Sequence, residues 1–426
     1  MRILRSIALF LILVLIGLVG TNFQGAQPGL QPHTLTVCPQ GSPACQFAAI
    51  QDAIQAAASD DLLLIQPGAY QENLIIDKSL RLIATETGRV YIQGTQQETP
   101  TLTLQTQEDF RVTLRGLIIL GGPAPLDRRK SSCKELCSNG IHITGHGSLV
   151  LNLVDMQVNQ AADAGLYCSS SNGFSGAAYV SIIHSSFTAN TADGIAWIGC
   201  QFQETLLQLE QVDFNGSSDG LSFSSPSSRS EQITLNIKHS RFVGNVVGLS
   251  LGPMTQSQVV ITDSLFLQNT GGGVIKYLNE SSLEVRNSHF LGNKIGLQFA
   301  DFVVGSPPET EDSSVRIENS SFLGNSLFGL EVQSPNRLTI QGNSIEGNGS
   351  GLWIELANNS LEISRNIIRR NREFGIALHR FPCKSDLPPT LTFPTFIQGE
   401  ENEIRENTKG DLCPEDYNWP PNFRKP

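Results

Sequence analysis

Basic residues are few in this chain of 426 residues, with 29 lysines and arginines against 40 aspartates and glutamates and a formal net charge of −11. They are scattered and form no basic stripe. Because nucleic-acid-binding proteins concentrate positive charge on one surface, this pattern argues against nucleic acid as a partner. Histidine and methionine are also few, at seven and three residues. They form no cluster of the kind that a copper-handling role would require.

Long apolar runs are absent after residue 19. Before it, Arg2 and Arg5 precede an apolar run over residues 7–19, which is typical of an export signal and short for a membrane span. Ala26 is a small residue suited to a cleavage site, but Gln24 is a poor partner for it. We therefore expect residues 1–26 to be either a signal peptide or an uncleaved anchor, the one segment that would contact a membrane. Either form predicts a secreted, periplasmic or cell-surface protein.

A phrase of sequence recurs along most of the chain. An alternating apolar run is followed by a polar pair, an apolar residue, Asn three places later, and Gly three or four places after that. The apolar residue recurs at intervals of 23–36 residues, as Phe187, Phe214, Phe242, Phe266, Phe290, Phe322, Ile345, Ile368 and Ile404. The Asn recurs as Asn190, Asn245, Asn269, Asn293, Asn325, Asn348, Asn371 and Asn407. A period of this size indicates one supersecondary unit stacked on copies of itself.

Within each unit, apolar and polar residues alternate, as in residues 283–286 (LEVR). A period of two predicts half-buried β-strands rather than helices. A second alternating run follows the Gly, as in residues 248–251 (GLSL). We therefore expect an all-β solenoid of about ten rungs, with parallel strands whose rungs lie about 4.8 Å apart.

The recurring Asn has a structural explanation. Asn tolerates a left-handed backbone at a sharp corner, and its amide can bond the backbone of the next rung. The Gly that follows removes a side chain where the chain turns again. We interpret the Asn column as structural rather than as a ligand site.

These features resemble the right-handed parallel β-helix repeat proteins of the pectin-lyase-like superfamily, over residues 46–413. Residues 47–57 (FAAIQDAIQAA) and 66–73 (QPGAYQEN) are similar to the openings of those proteins, in which a short helix plugs the end of the coil. Phe47, Ile50, Ile54 and Ala57 share one face of such a helix. The resemblance implies an N-terminal cap over residues 33–66 with a helix at 46–58, a right-handed parallel β-helix over 67–413, and a Pro-rich tail at 414–426.

All eight cysteines lie after the apolar N-terminal run, an even number that is typical of exported proteins with disulfides. Two pairs occupy related positions after the turn glycines of neighbouring rungs, and two pairs are close in sequence. We expect the bridges Cys38–Cys45, Cys133–Cys137, Cys168–Cys200 and Cys383–Cys413. A metal site is the alternative for Cys133 and Cys137, but neither a second Cys cluster nor a His pair supports it.

The longer intervals place extra residues at one phase of the repeat, after the Gly-containing strand. These inserts are residues 169–178, 224–232, 301–313 and 380–395, and a larger one, residues 123–138, falls early in the coil. Because each rung repeats the same cross-section, inserts at one phase emerge on one side and would wall a groove along the adjacent sheet. Alternatively, they shield the edges of the sheets.

Counting from each turn Gly separates inward from outward side chains. It predicts that Trp197, Phe223, Phe299 and Ile354 lie in the core. In the C-terminal rungs it predicts outward side chains that could stack a sugar ring and exchange protons, namely Glu331, Gln333, Trp353, Glu355 and His379. The alternative is ordinary polar decoration with one exposed tryptophan.

Asp193 and Asp219 each precede a turn Gly on neighbouring rungs, and Asp163 lies near the same phase. Neighbouring rungs would hold two such carboxylates roughly 5 Å apart, close to the separation in retaining glycosidases. The pair could instead bind Ca²⁺ through its oxygens, the one cofactor that the sequence suggests. Asp before Gly is also common turn chemistry.

The resemblance implies a carbohydrate-active protein, but the signatures of the family's enzymes are mostly missing. Residues 190–195 (NTADGI) are similar to the polygalacturonase Asn-Thr-Asp motif with an intruding Ala. The other polygalacturonase segments, the pectate lyase segments and the pectinesterase signature are absent from the sequence. We expect a protein that binds extracellular or envelope polysaccharide along its looped side. The alternatives are a polysaccharide lyase or glycoside hydrolase with a divergent site, and a non-catalytic structural or adhesive rod.

Overall fold

The computed structural model describes residues 32–39, 44–106, 109–123, 138–168, 174–198, 200, 202–224, 232–276, 278–300, 313–333, 337–354, 360–378, 396–415, 419–420 and 423. Within these ranges the chain forms three long sheets, and every pairing between strands is parallel. One α-helix, α1 (Ile50–Ala56), lies within the described part of the chain. The expected all-β parallel solenoid is confirmed.

Sheet A has fourteen strands. In spatial order they are β1 (Thr34–Val37), β2 (Leu62–Ile65), β5 (Leu80–Ala84), β8 (Phe110–Arg115), β11 (Leu149–Val154), β14 (Ala177–Ile183), β17 (Glu204–Glu210), β20 (Gln232–Lys238), β24 (Gln258–Thr262), β28 (Ser282–Arg286), β31 (Ser314–Glu318), β34 (Arg337–Gln341), β37 (Ser360–Ser364) and β40 (Phe396–Gln398).

Sheet B has thirteen short strands. In spatial order they are β3 (Gly68–Gln71), β6 (Val90–Gln93), β9 (Leu117–Leu120), β12 (Gln157–Asn159), β15 (Ser186–Thr188), β18 (Asp213–Asn215), β21 (Arg241–Val243), β25 (Leu265–Leu267), β29 (His289–Leu291), β32 (Ser321–Leu323), β35 (Ser344–Glu346), β38 (Ile367–Arg369) and β41 (Glu403–Arg405).

Sheet C also has thirteen strands. They are β4 (Leu74–Ile76), β7 (Leu102–Thr106), β10 (Ile141–Gly145), β13 (Leu166–Cys168), β16 (Asp193–Ile198), β19 (Asp219–Ser224), β22 (Val247–Leu251), β26 (Gly271–Lys276), β30 (Ile295–Ala300), β33 (Phe328–Val332), β36 (Ser350–Ile354), β39 (Phe374–Leu378) and β42 (Gly410–Cys413). A small fourth sheet pairs β23 (Met254–Thr255) with β27 (Leu278–Asn279).

The chain visits the three sheets in a fixed order, so each coil adds one strand to sheet A, then one to sheet B, then one to sheet C. Thirteen to fourteen strands per sheet exceed the expected ten rungs. The difference lies at the N-terminal end, because the coils between β2 and β12 lack the Phe–Asn phrase from which the rungs were counted.

The interior is filled by the inward side chains of all three sheets. Phe242, Phe266 and Phe290 occupy the same position on neighbouring strands of sheet B, and their ring centroids lie 4.6 Å apart in nearly parallel planes. The residues expected in the core are confirmed there, since Trp197, Phe223, Phe299 and Ile354 are 1–4% exposed. In-register stacking of identical side chains is therefore the packing principle of this core.

The Asn column is buried at the corner between sheets B and C and is structural, as expected. The Asn269 backbone N and Nδ2 donate to Asn293 Oδ1 at 2.9 and 3.1 Å, and Nδ2 also donates to the Phe242 carbonyl. The expected left-handed backbone is not at the Asn itself. It is at the residue before it, as in Gln268 (φ 55°) and Gly292 (φ 61°). The Asn is required for its hydrogen bonds, and the preceding residue makes the turn.

A second ladder, at the corner between sheets A and B, was not predicted. Ser240 N donates to Ser264 Oγ at 3.2 Å, and Ser264 N donates in turn to Ser288 Oγ at 3.2 Å. Further along, Asn343 and Asn366 take the same role. Each corner thus satisfies its buried backbone donors with a side chain from the next coil.

The glycine after each Asn is required by close approach rather than by its own φ angle. A Cβ atom on Gly272 would lie 2.2 Å from the Gly296 carbonyl oxygen. A Cβ on Gly248 would meet the Gly272 carbonyl oxygen at 2.5 Å. Substitution at these positions would push neighbouring coils apart.

Helix α1 buries Ile50, Ala53 and Ile54 against the first coils. It is shorter than the expected 46–58 and begins where the Glu72 carboxylate accepts hydrogen bonds from the Ile50 and Gln51 backbone N–H groups, both at 2.9 Å. Strands β1 and β2 flank this helix in sequence and already belong to sheet A. The sheet therefore begins within the segment that the sequence analysis assigns to the cap.

At the C-terminal end, Trp419 and Phe423 are 3% and 2% exposed and pack in the same apolar core as the coils. The Trp419 indole N–H donates to the Pro414 carbonyl at 2.8 Å. Among the described residues of the Pro-rich tail, these two aromatic side chains belong to the apolar core.

Two of the expected disulfides, Cys38–Cys45 and Cys168–Cys200, are confirmed. Cys413 is also disulfide-bonded. Cys133, Cys137 and Cys383 lie outside the described residues, as does the expected N-terminal signal or anchor. Within the described ranges, no helix has the length and apolar character needed to cross a membrane.

Candidate functional site

Longer connections follow several strands of sheet C in the chain and precede one of them. Residues 169–176, 225–231, 301–313 and 379–395 each connect a strand of sheet C to the next strand of sheet A, at the phase that the sequence predicts. The early insert is different, because it connects β9 of sheet B to β10 of sheet C. It therefore leaves from the opposite edge of sheet C, and the expectation of a single looped side does not extend to it.

A single row of outward residues runs along the middle of sheet C, and we call it the central row. Its members pair in register from β10 to β39 and are His142, Tyr167, Ala196, Ser222, Ser250, Val274, Gln298, Glu331, Trp353 and Ala377. Each is the second residue after a turn glycine. The predicted residues Glu331 and Trp353 therefore lie in the same row as Ala196 and Ser222, which are on the strands of Asp193 and Asp219.

Asp193 and Asp219 begin the adjacent strands β16 and β19 and are paired in register, as expected. Both side chains are half-buried. Burial raises the pKa of Asp193 to about 7, and the negative charge of Asp219 adds to the shift, although the Asp219 backbone N–H opposes it. Asp193 is therefore a carboxyl group that holds its proton close to neutral pH.

Burial also raises the pKa of Asp219, but two neighbours counteract the effect. Ser250, on the next strand, donates a hydrogen bond to the Asp219 carboxylate, and Lys276, one strand further, contributes a positive charge. The two carboxyl groups therefore differ in what surrounds them, with charge repulsion acting on Asp193 and stabilising partners acting on Asp219. Paired carboxyl groups with unequal surroundings can serve as an acid and a base.

An aromatic pair in the central row lies on the two strands that precede the acid pair, Asp193 and Asp219. The rings of His142 and Tyr167 stack with centroids 5.3 Å apart. Tyr167 packs with Ala164 and Ala196 in a small apolar cluster on the outer side of sheet C, and none of the three is more than 8% exposed. Burial lowers the pKa of His142, so its imidazole is neutral at neutral pH.

Asp163 does not join the acid pair. Its carboxylate accepts a hydrogen bond from the Ser138 backbone N–H at 2.8 Å, and its carbonyl accepts from Ala192. The Gly165 N–H bonds the Asp193 carbonyl, so the residue level with Asp193 is Ala164 rather than Asp163. Asp163 therefore lies near the phase of the pair, as expected, but one residue from it.

Glu331 lies in the central row but is only 7% exposed. Its two carboxylate oxygens accept hydrogen bonds from the side-chain amides of Gln298 and Gln333, both at 2.8 Å. Glu331 thus lies in the outward row, as the count predicts, and neighbouring amides bind its carboxylate.

Trp353 is half-buried rather than fully presented. Its ring stacks on Phe328, with centroids 4.9 Å apart and planes 22° apart. Together they form a second aromatic pair on sheet C. Trp353 lies six strands from Asp193, or about 29 Å at the usual strand spacing.

Glu355 and His379, the other predicted C-terminal candidates, lie outside the described residues. In the part of the chain that the structure describes, no group of three or more His, Cys, Asp or Glu residues is arranged to hold a metal ion. The expected Ca²⁺ at Asp193 and Asp219 would have only this pair as carboxylate ligands among the described residues, fewer protein ligands than Ca²⁺ usually takes.

Sequence reasoning missed His142, Tyr167, Ser250 and Lys276. The first three are the second residue after their turn glycines, and Lys276 is the fourth after Gly272. The same count that identified Glu331 and Trp353 finds all four when it is applied to the earlier rungs. Inserts make the intervals around His142 and Tyr167 irregular, whereas Ser250 and Lys276 lie in rungs with a regular spacing of 24 residues.

Comparisons with known proteins agree with this fold. A family model described as a right-handed β-helix region matches residues 302–386. A comparison with curated protein sequences gives no significant match.

Among solved structures, the catalytic unit of a thermostable GH87 α-1,3-glucanase from Streptomyces thermodiastaticus strain HF3-3 is similar over 87% of this chain and 67% of its own, with a TM-score of 0.58 and 14% identity. The Agl-KA catalytic domain is similar over 91% of this chain and 68% of its own, with a TM-score of 0.50 and 12% identity. At these identities the likeness speaks to the fold alone. The chain is a right-handed parallel β-helix protein of the pectin-lyase-like fold.

Proposed function

We propose that this protein is exported and binds an extended polysaccharide along the outer face of sheet C. The observation that carries the proposal is the central row, in which seven of the ten side chains paired in register, all but Ala196, Val274 and Ala377, are polar or aromatic. His142 near one end of the central row and Trp353 near the other are partly exposed rings, and aromatic rings are suited to stack on sugar rings. Connections leave from both edges of the sheet, where they would wall a groove.

Two further observations support the export and the ligand class. Disulfides persist in oxidising compartments, which fits the secreted, periplasmic or cell-surface location expected from the N-terminal run. A glucanase shares the fold, which fits a carbohydrate partner.

The binding proposal is tested with a panel of soluble polysaccharides and the variant Trp353→Ala. Loss of one stacking ring is expected to weaken binding about fivefold to tenfold in affinity gel electrophoresis. Tyr91→Ala is the matched control, because Tyr91 is an exposed ring on the outer face of sheet B. A second variant, Ser222→Arg, places a bulky charge in the central row without removing a packed ring.

Unchanged affinity in both sheet C variants would remove the groove from the proposal. Failure of the wild-type protein to bind any polysaccharide would instead support the structural or adhesive rod.

Hydrolysis of a glycosidic bond is a second candidate function, and the acid pair favours it. Asp193, protonated near neutral pH, would donate its proton to the glycosidic oxygen as the bond to the anomeric carbon breaks. Asp219, assisted by Ser250 and Lys276, would either attack that carbon or take the proton from an attacking water. Retention or inversion at the anomeric carbon distinguishes the two routes.

This second candidate is tested by reducing-sugar release from the polysaccharides that bind. Asp193→Asn and Asp219→Asn are expected to lower the rate at least 100-fold, as is usual when a general acid or its partner is removed. Asp213→Asn, an acidic residue on sheet B that pairs with Arg241, is the matched control. Absence of reducing sugar from every bound polysaccharide would leave a binding protein, and an unsaturated product would point to a lyase.

A further inference from the structure

The outer face of sheet B carries a short row of aliphatic side chains. Four residues pair in register on the neighbouring strands β21, β25, β29 and β32: Val243, Leu267, Leu291 and Leu323. Leu323 is 37% exposed, and the other three are partly exposed. Leu265 lies beside them in the adjacent outward row. At the usual strand spacing the aliphatic row is about 14 Å long.

The aliphatic row borders an open shelf on the side toward sheet C. The residues that follow its members in the turns are Gly244, Gln268, Gly292 and Gly324. A Cβ atom on Gly324 would meet no other atom within 4 Å. Val246, in the turn after β21, is 55% exposed, and Leu327, in the turn after β32, is 39% exposed. Exposed apolar side chains that cluster are typical of surfaces that bind another molecule, whereas single ones are not.

Only short turns border this face. From β15 to β38, all of the connections are described: each one from sheet A to sheet B has two residues, and each one from sheet B to sheet C has three or four. The long inserts of this region connect sheet C to sheet A instead. A face without walls suits the flat surface of another protein better than a chain held in a groove.

A second copy of this chain is complementary to this face. A two-fold axis between β25 and β29, along the strand direction, would set two solenoids antiparallel. It would place Leu267 of one copy opposite Leu291 of the other, and Val243 opposite Leu323. The same axis relates β21 to β32, and hence the two exposed turn residues that follow these strands. An interface of this kind uses one patch on both copies.

The charges at the ends of the aliphatic row favour the antiparallel orientation. In a parallel pair each strand would be level with its own counterpart, so Glu346 would meet Glu346 and Arg369 would meet Arg369, and like charges across an interface are unfavourable. In the antiparallel pair Glu346 lies opposite Asn215, and Arg369 lies opposite Thr188. Amide and hydroxyl groups can bond these charged side chains.

The face is long enough for an interface between proteins. The eight strands from β15 to β38 span about 34 Å. A square patch of about 800 Å², the usual area for each partner, has a side of about 28 Å. Because the aliphatic row occupies only the four central strands, we expect a dimer with a dissociation constant in the micromolar range.

We propose that two copies of this chain associate side by side and antiparallel through the outer faces of sheet B. The two aliphatic rows form the centre of the interface. Sheet C is a different face of the solenoid and stays uncovered, so the dimer does not depend on the proposed function.

The test is sedimentation velocity of the whole chain, without polysaccharide, at concentrations of about 1–100 µM. The wild type is expected to change from monomer to dimer over this range. Leu267→Lys and Leu291→Asp are each expected to weaken dimerisation at least about tenfold, because each places unpaired charges in the apolar centre of the interface. Ile75→Lys is the matched control, since Ile75 is 49% exposed on the first strand of sheet C, and it should dimerise as the wild type does.

A mixture of the two variants tests the orientation and shows that each variant is folded. Antiparallel packing brings the substituted position 267 of one copy opposite the substituted position 291 of the other. Their opposite charges attract, and the remaining pair of positions keeps its two leucines, so mixed dimers are expected to form. In a parallel pair, position 267 would face position 267 and mixing would bring no such gain.

A wild-type chain that stays monomeric at the highest concentration would overturn the proposal. Dimerisation that neither Leu267→Lys nor Leu291→Asp weakens would overturn it as well, because the interface would then lie elsewhere. Weaker dimerisation in each variant with no recovery in the mixture would show that the two rows do not meet antiparallel, and it would also overturn the proposal.

Discussion

Asp193 shows how the fold can set the chemistry of one side chain. Its carboxyl group sits at the start of β16, half-buried and level with Asp219 on the next strand. Removal from water disfavours the ionised form, and the adjacent negative charge disfavours it further. The repeat thus produces the arrangement without a dedicated loop, because two equivalent Asp-Gly turns fall on consecutive coils.

This environment predicts a pH-dependent stability. The pKa of Asp193 rises from 3.8 to about 7, so between these values the folded protein binds a proton that the unfolded chain has released. The free energy of unfolding should therefore fall as pH increases from about 4 to 7, by up to about 4 kcal/mol from this group. Asp193→Asn should flatten that part of the profile in urea denaturation across pH 4–8. An identical slope in the variant would show that Asp193 titrates normally.

The candidates at Glu331 and Trp353 show what sequence could not provide at this scale. The count from the turn glycines placed both side chains on the correct face. It could not show that Gln298 and Gln333 bond the Glu331 carboxylate, or that Phe328 covers Trp353. Exposure depends on the neighbours that a side chain meets on adjacent coils, and Phe328 precedes its turn glycine at a register position that holds Ile295 and Ser350 on the neighbouring strands.

At the scale of the strand and the corner, the repeat is held by a few contacts made many times. The stacked Phe residues of sheet B, the Asn column and the alternation of apolar and polar residues in the strands could all be predicted from the sequence, because they recur with one period. The Ser ladder at the other corner could not, since Ser before an apolar residue is common in any sequence. The coils of β6, β9 and β12 were harder to recognise, because no Asn follows three residues after their inward residues Ile92, Ile119 and Val158.

The Asn column predicts a sharp stability effect at one of its members. Asn293→Ala removes the oxygen that accepts from the Asn269 N–H and Nδ2, and also the donor to the Phe266 carbonyl. Buried groups left without partners cost about 1–3 kcal/mol each, so the variant should lose at least about 2 kcal/mol in urea denaturation. Asn215→Ala, an exposed asparagine on β18, is the control and should stay within about 0.5 kcal/mol. Equal stability of the two variants would contradict the role assigned to the column.

For the whole molecule, the disulfides and the end structures limit how a quasi-linear solenoid can unfold. Each coil contacts mainly its two neighbours, so unfolding can begin locally and spread. The Cys168–Cys200 bridge joins two consecutive coils and closes a span of 32 residues, whereas Cys38–Cys45 closes only 7. The number of coils could not be derived from sequence, because it depends on recognising rungs that lack the repeated phrase.

The longer bridge should matter more to the stability of the molecule. In the chain-entropy description, a loop of 32 residues is worth about 3–4 kcal/mol, and a loop of 7 residues about 1 kcal/mol less. The double variant Cys168→Ser/Cys200→Ser should therefore melt at a lower temperature than Cys38→Ser/Cys45→Ser. Differential scanning calorimetry without reductant makes the comparison. A lower melting temperature for the variant of the shorter loop would contradict this ranking.

The closure of both ends of the core has a consequence for association. A stack of parallel strands invites a further copy to dock on its terminal coil and prolong the stack into a fibre. Helix α1 buries its apolar side chains against the first coils, and Trp419 and Phe423 are packed into the core beyond β42. These side chains take the place of bare apolar surface at the two ends, so we expect them to disfavour end-to-end association along the axis.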